Sequence, residues 1–186
     1  MTTTLIVLGV LVLLVLIAIG IYNGLVAGRN RVDNAWSQID VQLKRRHDLI
    51  PNLIETCKGY MKHEATVLEN VTKARQQAVN ISNGSVQEVA QAETMLSGAL
   101  RQLFAVAENY PDLKANQNML ALQEELTATE NRIAFARQHF NDSVMTFNNQ
   151  VQQFPSNVLA GMFGFQNKIF FELKDPTERD PVKVQF

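Results

Sequence analysis

From Leu5 to Ile21 the chain carries no charge and no side-chain hydrogen-bonding group. With Thr2–Thr4 and Tyr22 added, the run matches the roughly 20 residues that cross a ~30 Å hydrocarbon core at about 1.5 Å per residue. A stretch this long and this apolar reads as a retained membrane anchor, and everything after it has to fold at a bilayer surface. A secretory signal peptide is the rival reading, with Ala18-Ile19-Gly20 as a passable small-x-small cleavage pattern. Against it, Met1–Thr4 holds no Lys or Arg, and the apolar run exceeds a usual signal-peptide core. No Cys follows the run until Cys57, which excludes lipoprotein processing. Arg29 and Arg31 follow the span closely, then Lys44, Arg45 and Arg46, while no cation precedes it. The positive-inside rule then predicts a single-pass protein of the inner membrane, amino terminus outside and the remainder cytoplasmic.

Composition limits what that remainder is. The chain has 186 residues, 17 basic and 18 acidic, and is 46% hydrophobic. These figures fit one domain and exclude both a disordered tail protein and a generally basic nucleic-acid binder. One cysteine excludes a disulfide framework and a cysteine-rich zinc module. Nine glycines and five prolines are too few for a turn-rich sandwich or barrel, so the fold class is all-α.

Hydrophobic spacing places the helices. Trp36, Ile39, Leu43, Ile50, Ile54, Cys57, Met61, Leu68, Val71, Ala74, Ala78 and Ile81 recur near every 3.5 positions, the mark of a long helix packed along one seam. Pro51 lacks a backbone donor and predicts a kink nearby. Asn80–Ser85 reads as a turn, and Ser85-Val-Gln-Glu88 as a capping box that opens a second helix. That helix carries Val89, Leu96, Leu100, Leu103, Phe104 and Val106 and stops at Tyr110-Pro111. A third helix follows, with Met119, Leu126, Ile133, Phe140, Phe147 and Phe154 spaced by sevens, a companion column of Leu122, Thr129, Ala136, Val144 and Val151, and a stop at Pro155. Residues 156–173 are Phe-rich, and Pro181–Phe186 alternates like a strand.

Several of these strings resemble the LemA family. They are Arg29–Val32, the long run from Asn34 to Leu53, Gly59-Tyr60, Leu103–Val106, Tyr110–Asn116, Leu122–Leu126, Thr129–Ala134, the Phe154-Pro155 stop and Phe170-Phe171-Glu172. The resemblance covers essentially the whole chain. It implies a bacterial single-pass membrane protein with its helical domain in the cytoplasm and no established enzymatic activity. It also points to membrane zinc metalloproteases or small phosphatase-like membrane proteins as partners.

The expected organisation is a transmembrane anchor at 1–22, a juxtamembrane connector at 23–31, a LemA-like helical bundle at 32–173 and a tail at 174–186. The bundle is expected to be elongated and antiparallel, with one very long first helix. If that helix runs unbroken from Val26 to Ile81, the second and third helices lie along its distal part and residues 156–173 cover their overshoot. The membrane-proximal seam of Trp36, Ile39, Leu43, Ile50 and Leu53 is then left without a partner in its own chain. Soluble monomers avoid such patches, so either the chain folds back at Pro51 or neighbouring copies pair along 30–55, and the second solution is preferred. Gly20, Gly24 and Gly28, spaced by fours, either let helices of neighbouring copies approach closely or form a flexible joint. Charge suits packing between the arms: residues 29–75 hold nine cations and six anions, residues 88–142 four and eight.

Motifs for chemistry are few. His63-Glu64 starts like a zinc-protease motif but continues to Val67 where a second His belongs, and no Glu-x-x-His pair occurs. There is no phosphate loop, no Gly-x-Gly-x-x-Gly and no Gly-x-Ser-x-Gly. Cys57 lies on the apolar seam and reads as a small buried hydrophobe. Glu124, Glu125 and Glu130 read as salt-bridging residues near Arg132 and Arg137. His47, beside Asp48 and two arginines near the kink, reads as an orienting hydrogen bond or as a pH switch. The expectation is a non-enzymatic, self-assembling membrane scaffold with the lipid bilayer and its own copies as partners. It needs no metal, cofactor, nucleic acid or small-molecule substrate. An adaptor that binds a membrane protease or signalling protein is the alternative.

Overall fold

The structure is a computed structural model that describes residues 1–172; the tail at 174–186 and its strand-like alternation lie outside the described residues. Among the described residues six helices follow in order: α1 Thr2–Lys58, α2 Ala65–Asn80, α3 Val86–Ala107, α4 Pro111–Lys114, α5 Gln117–Gln152 and α6 Ser156–Phe163. No strand occurs among the described residues, and the first helix is the longest, so the all-α class and the very long first helix hold. The helices pack into two compact units, one of residues 1–38 with 136–170 and one of Ile39–Phe135 with Phe171 and Glu172.

In the first unit, α1 begins as the apolar run. Its large side chains from Leu5 to Ile19 are each 47–67% exposed. A helix that is apolar on every side needs a nonpolar medium around it, and this segment is long and apolar enough to cross a membrane. The connector at 23–31 stays helical, and Leu25 and Val32 are buried. The other half of this unit is the second part of α5, which supplies buried Phe140, Val144 and Phe147. The two helices run antiparallel here: Trp36 lies 5.3 Å from Phe140 between ring centroids, and Gly28 faces Phe147 and Gln150.

α6 turns the chain back after α5. Gly164, at φ 71°, takes the left-handed conformation that closes the helix, and the Phe165 amide donates to Ala160 O at 2.9 Å. Phe165 then reaches Tyr22 and Phe147, with centroids 5.9 and 6.4 Å away. The Asn148 side chain pairs with the Lys168 backbone in both directions, donating to its carbonyl at 2.9 Å and accepting from its amide at 2.8 Å.

The second unit is a helix cluster around Ile50, Leu53, Cys57, Met61, Leu96, Leu103, Leu113 and Met119. Here α1 ends at Lys58, and Gly59–Glu64 breaks what the periodicity reads as one helix to Ile81. Met61, Leu68, Val71 and Ala78 are buried as the spacing requires, but on a separate helix. Gly59 has poor helix propensity, and the Tyr60 and Met61 amides both return to Cys57 O, at 3.0 and 2.8 Å. Tyr60 Oη accepts from Asn116 Nδ2 at 3.0 Å, which ties this break to the start of α5. α2 and α3 pack on each other, and Ser85 and Glu88 form the expected capping box. The Ser85 backbone and hydroxyl donors hold the Glu88 carboxyl below its ordinary range. That contribution is present above the ordinary glutamate value and fades as pH falls through the lowered folded one.

The break corrects the seam argument. Because the chain turns at residue 59 rather than near 81, α5 starts beside the end of α1. Ile39, Leu43, Ile50 and Leu53 are all buried, and Trp36 is half-buried against Phe140. Each such side chain stabilises by about 1.5–3 kcal/mol when covered, and the chain covers them itself. Pairing of copies along 30–55 therefore loses its basis, and α1 does not fold back at Pro51. Residues 156–170 pack on the membrane-proximal part of α1 rather than on a distal overshoot.

Cys57 provides a check on this core. It is fully buried, and desolvation pushes its thiol up to about 11. The thiolate is the reactive form, so iodoacetamide at neutral pH should leave folded protein unmodified and label it after denaturation. Labelling of the native protein at the denatured rate would contradict the packing described.

Candidate functional site

The most concentrated chemistry in the second unit lies where α1 meets α3 and α5. The apolar column of α1 is interrupted between Leu43 and Ile50, and the residue in the gap is Arg46. On α3, the column Val89, Leu96, Leu100 is interrupted by Glu93. Both side chains are almost fully buried, at 2% and 4% exposure, where an unpaired charge is not tolerated.

They are paired. Arg46 Nη1 donates to Glu130 Oε2 at 2.7 Å, and Nη2 donates to Ser97 Oγ at 3.0 Å and to the Glu93 carbonyl at 3.2 Å. The Glu93 carboxylate adds a charge contact, with Oε2 3.0 Å from Nη2 but without hydrogen-bond alignment. Its other oxygen, Oε1, is hydrogen-bonded with His47 Nε2 at 2.7 Å. Arg45 pairs with Glu125 at 2.5 Å nearer the surface. The basic first arm and the acidic middle helices thus meet within one chain, and Glu125 and Glu130 answer Arg45 and Arg46. A cleft of about 340 Å³ opens beside the cluster, lined among others by Arg46, Ser97, Arg101 and Glu130.

Pro51 completes the arrangement. Its missing N–H leaves the carbonyl four residues back, that of His47, without its helical donor. Arg75 on α2 supplies the substitute: its Nε donates to His47 O at 2.6 Å. His47 is thereby held twice, by its ring through α3 and by its carbonyl through α2.

The other sequence-derived residues fall elsewhere. Ile39, Leu43, Ile50 and Leu53 are core. Gly28 is buried against α5 of its own chain: a Cβ there would lie 2.5 Å from Gln150 Oε1 and 3.0 Å from Phe147. Gly20 and Gly24 have open space where a Cβ would stand. Sequence reasoning missed Glu93, Ser97 and Arg75. An acid inside the α3 column is the signal that would have found Glu93; Arg75 carries no such signal, because its partner is a backbone atom. No group of three or more His, Cys, Asp and Glu able to hold a metal ion occurs among the described residues.

The proline and the arginine are expected to be energetically coupled. Arg75→Met strands a part-buried carbonyl and should lower stability by about 1–3 kcal/mol. Pro51→Ala restores the amide donor, so in that background the same Arg75→Met substitution should cost much less. The double-mutant cycle is read by denaturant unfolding followed by far-UV circular dichroism. An equal cost in both backgrounds would remove Arg75 as the substitute donor.

Comparison with known proteins agrees with this architecture. The LemA family model matches residues 35–186, starting after the apolar run. Protein LemA of Metamycoplasma hominis is 28% identical over 159 residues, which cover 84% of this chain and 71% of that protein. Magnetosome protein MamQ of Magnetospirillum gryphiswaldense is 24% identical over 177 residues, covering 82% and 65% respectively. Magnetosome protein MamQ 1 of Paramagnetospirillum magneticum stands at the same identity and coverage. The chain thus spans just under two thirds of the length of the MamQ relatives. With most of its length matched by the family model, the chain belongs to the LemA family.

Proposed function

We propose that this protein is a membrane-anchored, non-catalytic helical scaffold that holds membrane proteins or further copies of itself at the bilayer surface. The observation that carries this reading is the absence of a loose tether in the first unit. α1 leaves the apolar run and enters the packed unit as unbroken helix, with Leu25 and Val32 buried on one face. Asp33 is linked to Lys168 at 3.4 Å. A flexible linker would let a bound enzyme sample the cytoplasm; a continuous helix fixes its attitude at the lipid, which is what a scaffold requires. The cations after the span favour a cytoplasmic position for the packed helices. The charge cluster of the second unit supports the same reading, since Arg46, His47, Glu93 and Glu130 each pair with a residue of another helix. Two of the relatives are named for a place in the cell, the magnetosome, and not for a reaction.

Self-assembly on this reading uses surfaces other than the α1 seam, and Gly20 in the span and Gly24 just after it are open to a neighbouring helix. The adaptor alternative, with a membrane protease or signalling protein as the bound partner, draws support from the burial of that seam, which leaves a single chain complete without copies. Particle mass after gentle detergent extraction separates the two. Multi-copy particles that shrink when Gly20 and Gly24 are both replaced by Leu support self-assembly. A single chain recovered with one other membrane protein at fixed stoichiometry supports the adaptor. A lone chain with no partner in either measurement overturns the scaffold proposal.

A further inference from the structure

The first unit exposes apolar side chains away from the span as well as on it. Phe154 is 82% exposed, Met162 73% and Phe163 58%, with Val158 and Ile169 both at 55%. Val158 and Met162 stand one turn apart on the same face of α6. An exposed set of this size is a surface that a water-soluble fold avoids.

Where this surface lies identifies what covers it. Tyr22 closes the apolar run of α1, and its ring packs edge-on against Phe163 with centroids 4.8 Å apart and against Phe165 at 5.9 Å. α6 is therefore level with the end of the span. Charge stops at the same level on both arms of the unit. No residue from Thr2 to Gly28 is charged, and none between Asp142 and Lys168. Arg29, the first charge on one arm, sits 5.6 Å from the Phe165 centroid, and Lys168, the first on the other, reaches Asp33. Aromatic rings at the span end with cations just beyond them are the pattern of a membrane–water interface.

We propose that α6, with its terminal Phe163 and the preceding Phe154, forms a second membrane-contacting element, seated at the headgroup–acyl boundary beside the transmembrane span. Its occupant is lipid: the surface is continuous with a span that lipid must cover, and α6 carries no charge with which to select a protein partner. An eight-residue helix is too short to cross the bilayer and lies in the interface as other apolar-faced helices do. The element gives the unit a second foothold on the membrane, a short distance from the first. This inference rests on the reading of residues 2–22 as a membrane span.

The test uses the full chain in phosphatidylcholine–phosphatidylglycerol vesicles, with an environment-sensitive fluorophore attached at Met162→Cys. Leu13→Cys, in the middle of the span, and Gln38→Cys, exposed on α1 beyond the first cations, serve as references. Cys57 is buried and stays unlabelled under native conditions. The probe at 162 should emit to the blue of the probe at 38. It should lose intensity when the vesicles contain lipids with a nitroxide near the glycerol end of the acyl chain, whereas the probe at 13 should respond most to a nitroxide near the methyl end. A probe at 162 that behaves like the one at 38 overturns the proposal while the span stands. Blue-shifted emission at 162 without nitroxide quenching also overturns it, because protein and not lipid then covers α6. Absence of deep quenching at 13 removes the span itself, and the interfacial seat with it.

Discussion

A carbonyl that has lost its helical donor organises the second unit. Proline inside a helix costs about 3 kcal/mol or more, through the missing bond and the clash of its ring with the carbonyl one turn back. α1 nonetheless continues through Pro51 to Lys58, because the His47 carbonyl is met by Arg75 from α2. That bond requires α2 to lie against this turn of α1. It also brings the His47 ring and Arg46 to face Glu93 on α3, since α2 and α3 pack together. With α1 helical to Lys58, the chain reverses at Gly59, and α5 is free to start beside that reversal.

The buried charges add discrimination between packings. A buried ion pair contributes little net stability, because desolvation offsets the attraction, but breaking one side of it costs about 3–5 kcal/mol. The apolar columns of α1 and α3 are repetitive, and a slip by one turn would still cover most of their Leu and Ile side chains. It would not keep Arg46 against Glu93, Ser97 and Glu130. The cluster therefore penalises the wrong registers more than it strengthens the right one.

The apolar columns were legible in the sequence to a large extent. Met119, Leu126, Ile133, Phe140 and Phe147 are all buried in α5, as are Leu96, Leu100 and Leu103 in α3, because a spacing near 3.5 records the buried face directly. Chain direction was not legible. Cys57, Met61 and Leu68 fit one continuous stripe, and a stripe is equally well covered when the helix turns between its members. From that single unseen turn followed the mistaken reading of the proximal seam as unpartnered. The charge cluster was half visible, as polar residues standing in apolar columns at Arg46 and Glu93. Its third anchor, Arg75, bonds to backbone, and side-chain patterns do not register main-chain acceptors.

In the first unit the same covering of the α1 seam has a consequence at the membrane. Phe140 and Phe147 are spent on Trp36 and on the Gly28 region of α1, so the phenylalanines spaced by sevens on α5 are buried up to that level. Beyond it the column fails: Phe154, the next member by sevens, is 82% exposed. The spacing continues in sequence, but α5 ends at Gln152, so Phe154 falls in the turn before α6 and off the helix face that meets α1. A heptad phenylalanine left outside the protein core at the level where charge also stops is more economically placed in the interface than in water, where it would expose most of a large ring. On the proposed interfacial seat of α6, the point at which the α5 column leaves its protein partner marks the height of the membrane surface.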